Sequence, residues 1–294
     1  ANAAALEAYE LALAAFLSWR DGAEAAVDLA LRHAPRFVMA HALRAYLRVC
    51  SRDAVRVASA GPLLAQATGL PATAHERRHL AAIGAVLADD FVGAKAQLAA
   101  CLQTQPRDVL ALHAAHNLDH TTGDVAALLE RPARVLPAWS RELPGHSAVR
   151  SMLAFGWVEA GEHARGEEAA LAVLENDPLH PRAHHVMAHV FEMSGRAEAG
   201  LAWMHDRIAR HGAGAHFSVH AWWHIALFHV ARGEWTQALR LYDERVRRGR
   251  SAEVADLIDA ASLLWRIDLG GGPVGRRWAE LARAWAPHVE GGFC

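Results

Sequence analysis

His185 and His189 stand four residues apart, as do His220 and His224, and the stretch HFSVHAWWHIALFHVARG (216–233) holds four histidines with Trp222 and Trp223. Four-residue spacing puts two side chains on one face of a helix. Near neutral pH an imidazole can take or give a proton, and its neutral ring is a ligand for zinc-like metals. The chemistries these pairs could serve are acid–base catalysis and metal-assisted hydrolysis. His216, His220 and His224 form one stripe; His185, His189 and Glu192 form a second; His113, His116 and His120 form a third. Asp259, Ser262 and Arg266 continue the pattern, while His229 falls on another face and reads as packing or surface.

The elements that carry these residues are helical. Alanine, leucine, glutamate and arginine dominate, the apolar pattern is helical, and no Val/Ile/Thr-rich run suggests a strand. Short breaks end at Arg20, Arg52, Asp90, Gly123, Gly161, Gly195 and Gly233, spaced 32, 38, 33, 38, 34 and 38 residues apart. A period near 36 predicts helix–turn–helix repeats of tetratricopeptide type. Pro35, Pro106 and Pro178 fall where such repeats close, and Gly270–Pro273 closes a last helix before a cap over 274–286. The expected fold is an all-α, TPR-like α-solenoid of about seven repeats, one domain over 1–294, with an irregular connection near 131–150.

The histidines keep phase with the repeat. His41 and His79 lie eleven residues before the turn mark, His113 and His185 ten, and His224 nine; Asp259 lies eleven before Gly270. First helices of such solenoids line the concave side, so these groups are expected to meet in one groove. The competing reading is a set of core histidines satisfied by neighbours. Burying so many imidazoles is costly unless each is partnered, which weakens that reading for the set.

The stretches AHNLDH (115–120), RPARVLPAW (131–139), MLAFGWVEAGE (152–162), AHHVMAHVFEMSGR (183–196), HAWWHIALFH (220–229) and DAASLLWR (259–266) resemble the tetratricopeptide repeat protein 38 family. The resemblance covers about half the chain in the family's order. It implies an all-helical repeat fold and singles out His116, Asp119, His185, His189, Glu192, His220, Trp223, His224, Asp259 and Arg266. It implies no reaction. One departure is the PGH around His146, where an aromatic is expected, so the rim of the pocket differs.

HERRH at 75–79 matches the H-E-x-x-H pattern of zinc proteases. A capping box accounts for it better: Thr73 accepts from the backbone of Glu76, which reaches back, so the glutamate is occupied. His79 keeps its repeat phase and His75 does not. No nucleophile elbow, phosphate-binding loop or dinucleotide fingerprint occurs. Cys50, Cys101 and Cys294 lack the spacing of a disulfide framework or thiolate zinc site. Net charge of −2 leaves no footprint for nucleic acid, and no apolar run reaches the roughly 18 residues of a membrane span. The first residues lack the basic region of a signal peptide, so a cytoplasmic chain is expected.

The residues favour a small-molecule enzyme of hydrolase or lyase type. His185, His189, His220, His224, Asp259, His116 and Asp119 are the catalytic candidates; Arg266, Glu192, His41, His113, Trp223, Trp265 and His146 are the substrate-binding ones. No organic cofactor is required. A divalent metal would draw its ligands from His185, His189, His220 and His224. The alternative is a scaffold holding a peptide in the groove, though the lysines and asparagines of a carboxylate clamp are replaced there by histidine.

Overall fold

The structure, a computed structural model, describes residues 1–51, 53–211 and 218–288, and these contain helices and connections only. His216 and Cys294 lie outside the described residues. The chain divides into two compact units: Ala1–Ser51 with Val55–Ala183, and His184–Cys294 with Arg52–Ala54. In chain order the first unit carries α1 (Ala3–Leu17), α2 (Ala23–His33), α3 (Val38–Val49), the short α4 (Ala54–Ala58), α5 (Ala60–Thr68), α6 (Ala74–Leu87) and α7 (Phe91–Thr104). It continues with α8 (Val109–Thr121), α9 (Val125–Val135), α10 (His146–Glu159) and α11 (His163–Leu174). After α12 (Pro181–Met193), which carries the division, come α13 (Ala197–His211), α14 (Ser218–Ala231), α15 (Trp235–Leu241), α16 (Val254–Leu269) and the terminal α17 (Arg277–Trp285). This is an all-α, TPR-like repeat of helix pairs with a capping helix.

Local signals set the ends. Asp90, Asp108 and Asp124 each accept a hydrogen bond from the backbone N–H three residues on, at 2.7, 2.8 and 3.1 Å, so α7, α8 and α9 start on capped turns. Seven turns among the described residues pass through a residue with positive φ: Trp19, Asp89, Gly123, Gly161, Gly195, Gly233 and Gly271; the turn mark at Arg52 lies outside the described residues. The next N–H reaches back five residues to a carbonyl at 2.8–2.9 Å, from Arg20 to Ala15 through Gly272 to Ile267. This Schellman closure satisfies a carbonyl that the helix end would otherwise strand. The sequence marks at Arg20 and Asp90 therefore sit one residue past the turn itself, because Trp19 and Asp89 occupy a conformation usually left to glycine. With the frame corrected, His79, His113 and His185 all stand ten residues before the left-handed position, and so does the buried Ser151.

The connection expected over 131–150 is shorter in the structure. α9 runs through Pro132 to Val135, a 3₁₀ turn covers Leu136–Ala138, and α10 starts at His146 after Gly145 (φ 91°). Trp139 donates its indole N–H to the Pro106 carbonyl at 3.2 Å, fixing the connection to the preceding repeat. Among the described residues no helix is long and apolar enough to cross a membrane.

Candidate functional site

In the second unit, α12, α14 and α16 bring eight sequence candidates together. His189 and His185, one turn apart on α12, have Nε2 atoms 2.9 Å apart, and His185 Nε2 lies 3.1 Å from His220 Nε2 on α14. On its other side His220 donates Nδ1–H to Asp259 of α16, whose two oxygens stand at 3.0 and 2.8 Å. That bond leaves the lone pair of a neutral His220 on Nε2, aimed at the other two rings. His185 Nε2 has one in-plane position, holding either a proton or a lone pair, and it faces two nitrogens at once. The three nitrogens would have to share protons through a bifurcated bond, and the same convergence is one that could hold a metal ion.

His224 completes the group. Ligand nitrogens of His185, His189, His220 and His224 can all lie within 4.8 Å of one another. His224 is sealed from solvent, and neither of its nitrogens has a hydrogen-bond partner. Its Nδ1 is 3.3 Å from Glu192 Oε2, close enough for an ion pair but not aligned for a hydrogen bond. Burial, then the charges of His220, His189 and Arg266, push its pKa well below the ordinary histidine value, so the ring stays neutral. The open side is at His220 and Glu192, each 30% exposed against 0% for His224. Trp223 stacks on His220 with ring centroids 4.9 Å apart and planes at 16°, and the exposed Arg266 guanidinium lies 5.7 Å from the Trp223 ring. Arg266 is steadied by Ser262 Oγ at 2.6 Å, and no carboxylate pairs with it among the described residues. Trp265 is 60% exposed, whereas Trp222 carries the Arg245 guanidinium 4.5 Å above its ring.

The first unit holds the other expected residues in separate settings. His41 donates Nε2–H to the Pro35 carbonyl at 2.8 Å, which ties the start of α3 to its loop. His146 is the half-buried first residue of α10; burial, then Arg150 and Arg141, lower its pKa. Asp119, expected among the catalytic groups, is buried and accepts two N–H groups of Arg131 at 2.7 and 3.0 Å. His113 accepts from Arg182 at 2.9 Å, and Arg182 also donates to the Leu17 carbonyl and lies 4.1 Å from the Trp19 ring.

His75 and His79 were set apart in the sequence, and the structure joins them. Both Nε2 atoms meet Asp108 Oδ2, at 2.6 and 2.7 Å, and the buried Cys101 stands beside them. Sequence reasoning missed Asp108, which lies 33 residues beyond His75 and reads there only as the cap of α8. The capping box on Glu76 is as expected: Thr73 N donates to Oε2 at 2.7 Å and Glu76 N to Thr73 Oγ1 at 3.2 Å.

The buried histidines of α8 give a pH prediction. Burial, then Arg182, hold His113 well below its ordinary 6.5, with His116 adding to it. His116 is held down by burial, Arg182, His120 and Arg131, and Phe16 and Phe155 cover the two rings. Both stay neutral in the folded chain but take a proton in the unfolded chain below pH 6.5. Stability is therefore full above that value and falls as pH drops, by about 1.4 kcal/mol per unit for each ring. Urea midpoints at pH 7.5 and 5.5 should differ less in His116→Leu than in the wild type; equal differences would refute the assignment.

No protein-family model matches the chain. Among solved structures it is similar to a tetratricopeptide repeat protein from Parabacteroides merdae, at 14% identity over 96% of this chain and 99% of that one, with a TM-score of 0.44. It is also similar to the P58(IPK) TPR domain, at 12% identity over 89% of this chain and 82% of that one, with a TM-score of 0.30. Neither likeness bears on the chemistry of the histidine cluster.

Proposed function

We propose that the chain is a metal-dependent hydrolase of a small anionic substrate, with its site in the second unit. The observation that carries this reading is the convergence of His185, His189 and His220 through Nε2, at separations of 2.9 and 3.1 Å. Tetrahedral zinc with nitrogen ligands at about 2.0–2.1 Å sets neighbouring nitrogens roughly 3.3 Å apart, so the three rings stand close to ligating distance. A divalent metal there would supply a water of lowered pKa. Asp259 holds His220 in the tautomer that presents Nε2. Glu192, part-exposed beside the neutral His224, would be the proton acceptor of such a site. Arg266 over Trp223 supplies a fixed positive charge for a carboxylate or phosphate group of the substrate. Membership of the tetratricopeptide repeat protein 38 family is part of the same proposal. Of the positions singled out by that resemblance, His185, His189, Glu192, His220, Trp223, His224, Asp259 and Arg266 are neighbours in this cluster.

The test is mass spectrometry of a cell metabolite extract incubated with zinc-loaded protein, with chelator-treated protein and with His189→Ala. A compound consumed by the first alone supports the proposal and names the substrate class. Equal consumption by all three, or no zinc bound by the wild type in equilibrium dialysis, would overturn it.

A further inference from the structure

A second convergence of donor atoms lies in the first unit, and the reaction proposed above makes no use of it. His75 and His79 come from α6, Cys101 from α7, and Asp108 from the start of α8. One ligand atom from each falls within 4.8 Å of the other three. The two imidazoles are one turn apart and aim Nε2 at the same carboxylate oxygen. Nδ1 of His79 lies 3.1 Å from the Tyr46 hydroxyl, whose proton has a second acceptor in the His79 carbonyl at 3.3 Å. A ligating histidine commonly has its other nitrogen held in this way, which fixes the ring and its tautomer. Asp108 divides its labour: Oδ1 caps α8 through Ala111 N, and Oδ2 faces the histidines.

We propose that His75, His79, Cys101 and Asp108 form a closed structural site for a divalent metal of the zinc class. Two nitrogens, one sulfur and one oxygen make the borderline donor set that zinc accepts, and four protein ligands leave no position for a substrate. The metal would tie three consecutive helices. HERRH then has a divided meaning: its two histidines are ligands, while Glu76 caps the helix at Thr73 and serves no base function. His79 and Cys101 are fully buried, and the His75 ring is 17% exposed, which leaves an edge for metal entry.

Cobalt(II) titration of the full chain tests this, because only a thiolate ligand gives a sulfur-to-cobalt charge-transfer band in the near ultraviolet. The second-unit cluster contains no cysteine, so its metal adds no such band. The expected result is a band that persists in Cys50→Ser, saturates at one equivalent in His185→Ala, where the second-unit cluster no longer competes, and disappears in Cys101→Ser. Cobalt binding without the band, or a band that survives in Cys101→Ser, would overturn the proposal. Should Cys101→Ser lose its helical circular dichroism, His75→Ala carries the test: its band should require at least tenfold more cobalt. A band at unchanged cobalt concentration in that variant would equally overturn it.

Discussion

His185→Ala is expected to raise the dissociation constant for zinc at the second-unit cluster by roughly 10²–10³-fold. Its Nε2 is the atom shared by both short contacts, to His189 at 2.9 Å and to His220 at 3.1 Å. Structural zinc held by four protein ligands binds with about 10–16 kcal/mol, so a single ligand is worth about 2.5–4 kcal/mol, and the same increment is expected for one of the three rings here. Asp259→Asn should cost less, about 10–100-fold, since it weakens the orientation of His220 and removes no ligand. The two changes should not add, because a ring that has lost its metal gains nothing from being oriented. Competition against a calibrated chelator measures both constants. Zinc at 100 times its dissociation constant should also stabilise the wild type by about 2.7 kcal/mol through this site, and His185→Ala should lose that increment. If the cluster were only a hydrogen-bonded network, His185→Ala would lower stability and leave zinc affinity at the cluster untouched. That outcome would sink the metal reading.

Legibility in the sequence followed periodicity. The helical repeat and the face shared by His185 and His189 depend on spacing within one helix, which the chain states directly. Asp259 was found because it stands near the repeat phase, eleven residues before Gly270, and the repeat supplies the long-range register that local spacing lacks. What did not follow was the choice among polar partners. Asp119 sits on α8 beside good histidine candidates, yet the long guanidinium of Arg131 reaches it from α9. A flexible cation twelve residues away leaves no periodic trace. Asp108 was overlooked for a related reason: a helix-start aspartate is fully explained by its cap through Oδ1, and nothing in the sequence shows that Oδ2 meets two rings. The frame error at Trp19 and Asp89 has a simple cause as well, since glycine marks the left-handed turn only where glycine is used.

The largest effect on folding is expected at Gly156, where alanine should destabilise the first unit by about 3 kcal/mol and leucine should prevent its folding. A Cβ at this position would lie 2.5 Å from the Leu128 carbonyl oxygen and 2.8 Å from both Leu128 C and Leu129 Cα. All three are backbone atoms of α9, so no rotamer change relieves the clash, and α9 and α10 must move apart. Pro132 explains why α10 comes so near. Without an N–H it cannot bond the carbonyl four residues back, which is that of Leu128. Gly156 lets α10 lie against this released carbonyl, where any larger residue would collide. Gly200 makes the useful contrast. Its Cβ would meet the Phe228 ring at 2.5 Å, an obstacle that is a side chain and can tilt, so Gly200→Ala should cost less. Urea denaturation of the two alanine variants decides the matter: a smaller loss at Gly156 than at Gly200 would mean that the helix contact yields more readily than the ring.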